Sequence, residues 1–465
     1  MCLCSSLDTG LHPALAGLSN ITRDPAEGGR EVKRHSFLFL TLLLVMSLAA
    51  AACSRGGSSG GSSKSDGEGT TLEFWTFNEL HDQFYQHMAQ LWNEKNPDRK
   101  INLKGIVYPY DDMHNKLLVA LQSGTGAPDL ADVELNKFPN FLKGTPQLVP
   151  LNDIVEPELD NLVRSRLDIY AKDGNYYGID FHVGASVIYY NKEILDQAGV
   201  NPDDIKTWAD FEAAGKKVLE ATGKPMATIE TGDMWSVWPQ IAQAPGGDDL
   251  QTADGRPNLT GEVVVRALEF QKRLIDQGIA VTAPGGTHHA EEYYGFMNDG
   301  GAASVWMPMW YMGRFTDYMP DLKGKIVIKP MPAWNAGEPR SAGMGGTGTV
   351  ITTASKNIEL AKDFLAFAKL SREGNIEIWR FLGFDPLRSD VWDTPELREP
   401  NKFTDYFGDY IFDVLLEVKD EIEGVVVNEQ TPAISDAFRT SVLVRILQDG
   451  EDPVKVLEDT QAQLQ

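Results

Sequence analysis

Thr71-Leu-Glu-Phe-Trp-Thr-Phe77 alternates in the manner of a half-buried strand, and the residues after it change period. Residues 79–94 put Phe84, Tyr85, Met88, Leu91 and Trp92 on one helical face, and Asn96-Pro97 ends that helix. Ile101-Asn-Leu-Lys-Gly-Ile-Val107 reads as a second strand. Residues 113–122 read as a second helix, stopped by Ser123-Gly124, and Asp129-Leu-Ala-Asp-Val133 as a third strand. Strand and helix in strict alternation predict βαβ units, an α/β fold and a largely parallel sheet. Val187-Ile-Tyr-Tyr190, Ala302-Ala-Ser-Val-Trp306, Lys325-Ile-Val-Ile-Lys329 and Thr349-Val-Ile-Thr-Thr353 continue the strand set. Helices are expected over 208–220, 261–277 and 359–370, and the chain from about Pro395 reads as mainly helical. No internal repeat interrupts this pattern.

Upstream, Lys33 and Arg34 precede an apolar run over 37–52 that ends Ala50-Ala-Ala-Cys53. The run is shorter than the roughly 20 residues a spanning helix needs, and with its basic start it reads as a secretory signal peptide. Its end resembles a bacterial lipobox, in which Cys53 is lipidated and becomes the new N-terminus. Ala50 departs from that pattern, which more often has Leu there. The Gly/Ser-rich stretch to residue 69 reads as a flexible tether. Residues 1–31 carry no structural period, and Glu27-Gly28-Gly29 would be encoded by G-rich codons like a ribosome-binding site. Translation is therefore expected to start at Val32. Of the three cysteines, Cys2, Cys4 and Cys53, only the last then survives processing. That leaves no disulfide, no cysteine nucleophile and no thiolate metal site.

Acidic residues outnumber basic ones 67 to 42, a net −25, and the first 52 residues carry four of each sign. The exported part keeps the whole imbalance. Such a surface repels nucleic acid and anionic lipid headgroups, so a lipid rather than a basic patch must hold the protein at the membrane. Ten tryptophans and 43 glycines suit a cleft lined by flat rings and tight turns.

Several segments of residues 70–465 together resemble a known family. They are Leu72-Glu-Phe-Trp75, Ser123-Gly-Thr-Gly-Ala-Pro-Asp129, Tyr177-Gly-Ile-Asp-Phe-His-Val-Gly184 and Tyr189-Tyr-Asn-Lys192. Trp235-Ser-Val-Trp-Pro239, Gly300-Gly-Ala-Ala-Ser-Val-Trp306 with Trp310, and Ser355-Lys-Asn-Ile-Glu-Leu-Ala-Lys-Asp-Phe-Leu365 follow. In this order they resemble the extracellular solute-binding proteins of bacterial ABC importers, the large family that includes maltose-binding protein. Within it, the pattern is most similar to binders of arabinose or arabino-oligosaccharides. The resemblance implies a type II, two-lobed periplasmic-binding-protein fold with ligand held between the lobes. Lobe one would be 70–183 plus 344–395 and lobe two 184–343 plus 396–465, with hinge crossings near Val183, Gly343 and residue 395. It also implies hinge closure on ligand, permease subunits as partners, and a monomer lipid-anchored to the outer face of the cell membrane.

A neutral sugar needs flat rings against its C–H faces and directed acceptors and donors for its hydroxyls. Trp235 and Trp310 match places where relatives carry stacking aromatics. Trp238 and Trp306 are further ring candidates, weighed against core packing, and Trp75 ends the first strand where a loop enters the cleft. Glu79 matches a family ligand carboxylate. Glu134 and Asn136 follow the third strand, at the carboxyl end where α/β sheets place ligands. His182 stands where relatives often carry Asp. The glycines of 343–346, Gly345 among them, are expected to let backbone approach the ligand or bend at a hinge.

Other motifs carry no function. Gly343-Met-Gly-Gly-Thr-Gly348 fits G-x-G-x-x-G but precedes a strand, so a nucleotide fingerprint is excluded. His288-His289 with Glu291 and Glu292 lacks a recognised metal-ligand spacing and reads as a solvated loop. No phosphate loop, zincin helix or nucleophile elbow occurs, and no cofactor or metal is expected. The leading expectation is a non-catalytic sugar-capture lipoprotein. The alternatives are a surface glycoside hydrolase, which would use two carboxylates and similar rings, and a binder of a polyol or glycerol-phosphate ligand. A phosphate would call for Arg or Lys, and the candidate positions hold none.

Overall fold

The computed structural model describes residues 69–465 apart from Asp249 and Ala253. The expected start at Val32, the signal peptide, Cys53 and the tether up to residue 68 lie outside the described residues. Among the described residues no helix is long and apolar enough to cross a membrane.

The opening segment folds as strand β1 (Thr70–Thr76), helix α1 (Glu79–Lys95), β2 (Ile101–Val107), α2 (Tyr110–Ser123) and β3 (Leu130–Glu134). β1 lies parallel to β2, from Thr70 opposite Ile101 to Thr76 opposite Val107, and parallel to β3 at Phe74 opposite Leu130. The alternation decides which helix covers which face. Leu72 and Phe74 pack with Phe84, Tyr85 and Met88 of α1, whereas Trp75 turns to the other face with Met113 and Leu117 of α2. Asn78 caps α1 by accepting from the Leu80 N–H at 3.0 Å. Gly124, at φ 67°, ends α2 in the left-handed conformation.

A second sheet is built from β4 (Ser186–Asn191), β5 (Ala227–Ile229), β6 (Ala280–Thr282), β7 (Ser304–Pro308) and β8 (Ile326–Pro330), in the order β8-β4-β7-β5-β6. Helix α3 (Glu291–Asn298) leads into β7 and helix α4 (Met312–Tyr318) leaves it. The chain then returns to the first sheet as β9 (Thr347–Ile351), completing the order β9-β3-β1-β2.

The sheets are more mixed than the βαβ reading predicts. β9 runs antiparallel to β3, and β4 runs antiparallel to both β7 and β8. β4 and β9 follow passages between the sheets rather than βαβ crossovers, so they enter from the opposite direction. Where the chain passes between sheets, Ala185 pairs with Gly343, and Ser341–Ala342 lies parallel to Ile422–Glu423.

Each sheet has its own core. Phe74, Phe84, Trp92 and Phe364 fill one side of the first. Trp208, Phe211, Phe270 and Trp306 meet under the second, with the Trp208 and Trp306 rings 5.1 Å apart at 70°. Burial of such rings contributes about 1.5–3 kcal/mol each, and it fixes the strand ends from which the polar site projects.

Candidate ligand-binding site

The carboxyl ends of β3 and β5 and the glycine segment before β9 converge. At the end of β3, Glu134 is half-buried and held on both oxygens. The Tyr110 hydroxyl donates to Oε2 at 2.7 Å, the Asn136 backbone N–H to Oε2 at 2.8 Å, and the Asn136 side-chain amide to Oε1 at 3.1 Å. The Glu134 N–H donates to His114 Nε2 at 3.0 Å, while His114 Nδ1 faces the Tyr110 carbonyl at 2.7 Å. That pair of contacts requires a neutral ring protonated on Nδ1, and burial keeps the imidazole down at about 4. Burial pushes the Glu134 carboxyl up to about 7 against its donors, and the charge of Asp233 adds to the rise. Asn136 Oδ1 is buried without a partner, an acceptor left open beside Glu134.

Just past the end of β5 stand Glu230, Asp233 and Trp235. Glu230 Oε1 accepts from Thr287 Oγ1 at 3.0 Å and from the His288 N–H at 2.8 Å, while Oε2 is buried without a direct hydrogen bond. Burial, reinforced by Asp233, pushes the Glu230 carboxyl up to about 8. Burial raises Asp233 too, offset in part by the Met234 N–H, Arg439 and the Trp235 side chain. Arg439 Nε lies 3.9 Å from Asp233 Oδ1. The wall is therefore acidic, with Arg439 beside Asp233, and its carboxyls are costly to ionise without further donors.

Trp235 meets Trp310 edge to face, centroids 5.1 Å apart at 81°. Trp310 stands just past the end of β7, its indole N–H donates to the Met344 carbonyl at 3.1 Å, and the His289 ring stacks on it at 5.7 Å and 16°. Gly345 closes the group. Its φ is 70°, and a Cβ there would stand 3.0 Å from Trp310 Nε1 and 3.3 Å from the Trp235 ring. Backbone is the most that fits between those rings.

The segment is held from behind by Arg166, which is fully buried. Its Nη1 donates to the Gly343 carbonyl at 3.0 Å, and its Nη2 donates to Asp180 Oδ2 at 2.8 Å and to the Gly345 carbonyl. The Tyr170 hydroxyl and the Thr347 and Phe181 N–H groups also donate to Asp180, at 2.9, 3.0 and 2.7 Å. Burial pushes the Asp180 carboxyl up, but Arg166 together with the other cations and donors around it outweighs that and holds it below the usual range. The Leu135 N–H donates to the Gly346 carbonyl at 3.0 Å, tying the Glu134 loop to the glycines.

Trp235, Trp310, Gly345, Glu134 and Asn136 thus stand along this one region. The other sequence candidates lie elsewhere. Trp75 is buried against α2 and Tyr108, with its N–H on Glu73 at 2.8 Å. Trp238 opens a buried helix, Trp238–Ala242, and donates to Asp248 at 2.8 Å. Trp306 lies within β7, 1% exposed, and donates to the Ser236 carbonyl at 2.7 Å. For these three the cleft expectation is corrected: each ring fills core, Trp238 and Trp306 spend their only donor there, and Trp75 spends its own on Glu73 at the core's edge. Glu79 is exposed on the first turn of α1, where its charge favours the helix N-terminus. His182 is buried against Phe384, centroids 4.9 Å apart, and burial drives its pKa down to about 3, so it stays neutral.

Sequence reasoning missed Tyr110, His114, Glu230, Asp233, His289 and Arg439. Glu230 and Asp233 follow a three-residue strand, too short to show a period. His288-His289 do lie in a turn, but the expectation that they are solvated is corrected: His288 is fully buried, Nε2 lying 3.0 Å from Thr228 Oγ1, and His289 covers Trp310. Among the described residues no cluster of three or more metal-ligating side chains occurs.

The chain is similar to known proteins along most of its length. The model of a family described as bacterial extracellular solute-binding protein matches residues 78–373. The chain is 50% identical over 434 residues to the arabinooligosaccharide-binding protein of Bacillus subtilis, covering 93% of this chain and 99% of that one. It is 51% identical over 399 residues to the arabinooligosaccharide-binding protein of Halalkalibacterium halodurans, covering 85% and 89%. The solved sugar-binding protein MalE of Xanthomonas citri shares the fold at a TM-score of 0.71 and 19% identity, over 85% of this chain and 96% of that one. With a two-sheet α/β frame, a family match across most of its length and half its residues shared with full-length relatives, the chain belongs to the bacterial extracellular solute-binding protein family.

Proposed function

We propose that this protein captures an arabino-oligosaccharide outside the cell and delivers it to the permease subunits of an ABC importer, without chemical turnover. The observation that carries the reading is the group Trp235, Trp310 and Gly345 beside Glu134, Asn136, Glu230 and Asp233. Rings at right angles offer one face to a sugar and an edge to each other, and the bare glycine backbone lets the two rings close up on that turn. The open acceptors Glu230 Oε2 and Asn136 Oδ1 are satisfied by sugar hydroxyls, which donate without adding charge. Half of the aligned residues are shared with each of two proteins named for arabino-oligosaccharide binding, which supports the choice of sugar. Lobe one is taken as 70–183 plus 344–395 and lobe two as 184–343 plus 396–465, hinged near Val183, Gly343 and residue 395. The protein acts as a monomer, held to the outer face of the membrane by lipid on Cys53.

Titration of intrinsic tryptophan fluorescence with arabino-oligosaccharides, pentoses and hexoses tests this. A saturable shift with the arabinose series supports it, and a response to none of that series contradicts it. The raised carboxyls Glu134 and Glu230 keep a glycoside hydrolase as the second reading. Release of reducing ends from the same oligosaccharides at catalytic rates would establish that reading instead.

A further inference from the structure

The rings of the candidate site do not stop at Trp310. Trp310, Arg314 and Tyr318 recur at four-residue spacing through the 3₁₀ turn Met309–Tyr311 and α4, so they share one face of that element. His289 stacks on Trp310, and the Arg314 charge acts on both His289 and Tyr294. Tyr294, on α3, lies flat against Tyr318, ring centroids 4.7 Å apart and planes 4° from parallel. The chain of contacts is continuous from Trp235 to Tyr318.

Two features of this ridge are unexplained by packing. Tyr318 is 51% exposed, although its ring is held in place by Tyr294. Arg314 is half-buried, its Nε is buried without a hydrogen bond, and among the described residues it forms no ion pair with a carboxylate.

We infer that Trp310, Arg314 and Tyr318, backed by His289 and Tyr294, form an outer subsite for the distal units of a linear neutral oligosaccharide, and that this ridge sets the preferred ligand length. The inference rests on the reading of the cleft as a sugar site. Eight residues of helix carry the ridge roughly 12 Å outward, about two to three ring widths at the spacing at which rings pack. Tyr318 supplies a flat face and Arg314 supplies donors to hydroxyl oxygens.

Isothermal titration with linear arabino-oligosaccharides from the dimer to the octamer tests the subsite in wild type, Tyr318→Ala, Tyr318→Phe and Arg314→Gln. Wild type should bind the longer members about tenfold more tightly than the dimer, comparable with the loss of one good stacking contact. Tyr318→Ala should lose most of that ratio, Arg314→Gln part of it, and Tyr318→Phe should keep it. A ratio left intact in Tyr318→Ala, or absent from wild type, overturns the outer subsite while leaving the cleft reading standing. Failure of wild type to bind any member overturns the cleft reading and the subsite together. Tyr318 lies on the surface, so Tyr318→Ala folds, and matching thermal melts verify it.

Discussion

Glu134→Gln separates the charge of the site from its shape. In the folded chain the Glu134 carboxyl is pushed up to about 7 by burial, from an ordinary value of 4.5. The folded state therefore holds the proton more tightly than the unfolded state does. Its stability is greatest at low pH, falls as pH rises through the window from about 4.5 to about 7, and is flat above it. The size is the pKa difference at about 1.4 kcal/mol per unit, hence about 3 kcal/mol as an upper figure for a half-buried group. Gln has no such term. It keeps an acceptor for Tyr110 and the Asn136 N–H but gives up the carboxylate oxygen that takes the Asn136 side-chain amide, a loss of about 1 kcal/mol. Glu134→Gln should accordingly be about 1 kcal/mol less stable than wild type near pH 4.5 and about 2 kcal/mol more stable near pH 8. Urea unfolding of both proteins across that range gives the difference directly, and groups that titrate alike in both cancel. A difference that stays flat with pH refutes the claim that burial holds this carboxyl near 7.

Arg166→Leu should destabilise the fold by about 3–5 kcal/mol in denaturant unfolding, because Asp180 is then buried with no adjacent guanidinium; a loss under 1 kcal/mol would show that the clamp on Gly343 and Gly345 is unimportant. Gly345→Ala should cost about 1–2 kcal/mol for the left-handed backbone alone, and the new methyl should alter tryptophan fluorescence by displacing Trp310; an unchanged spectrum and melt would contradict the close packing of that turn. Cys53→Ser should move the protein from the membrane fraction to the soluble one, and retention at the membrane would remove lipid as the anchor.

The first sheet was legible because its strands and helices are long enough to display their periods. The strand expected at Ala302–Trp306 runs instead from Ser304 to Pro308, and that shift decides the chemistry. Trp306 becomes a mid-strand residue pointing into the core, while Trp310, four residues on, stands free of the strand end. Spacing alone treats the two rings alike. Trp238 was ambiguous for the same reason: it is the inward-facing first residue of a five-residue helix. Glu230 and Asp233 follow Ala227–Ile229, whose strand identity comes from its neighbours β6 and β7 rather than from its own composition. His289 gains its place from stacking on a residue 21 positions away, which no local pattern encodes.

The central claim is that Trp235 and Trp310 form the face on which the sugar rests. Isothermal titration of wild type and Trp235→Ala with an arabino-oligosaccharide, alongside thermal melts of both, tests it most directly. The account predicts an affinity loss of about 2–4 kcal/mol, some 30-fold to 1,000-fold, with folding retained because Trp235 is only half-buried. An affinity within twofold of wild type, in a variant that melts as wild type does, would contradict it.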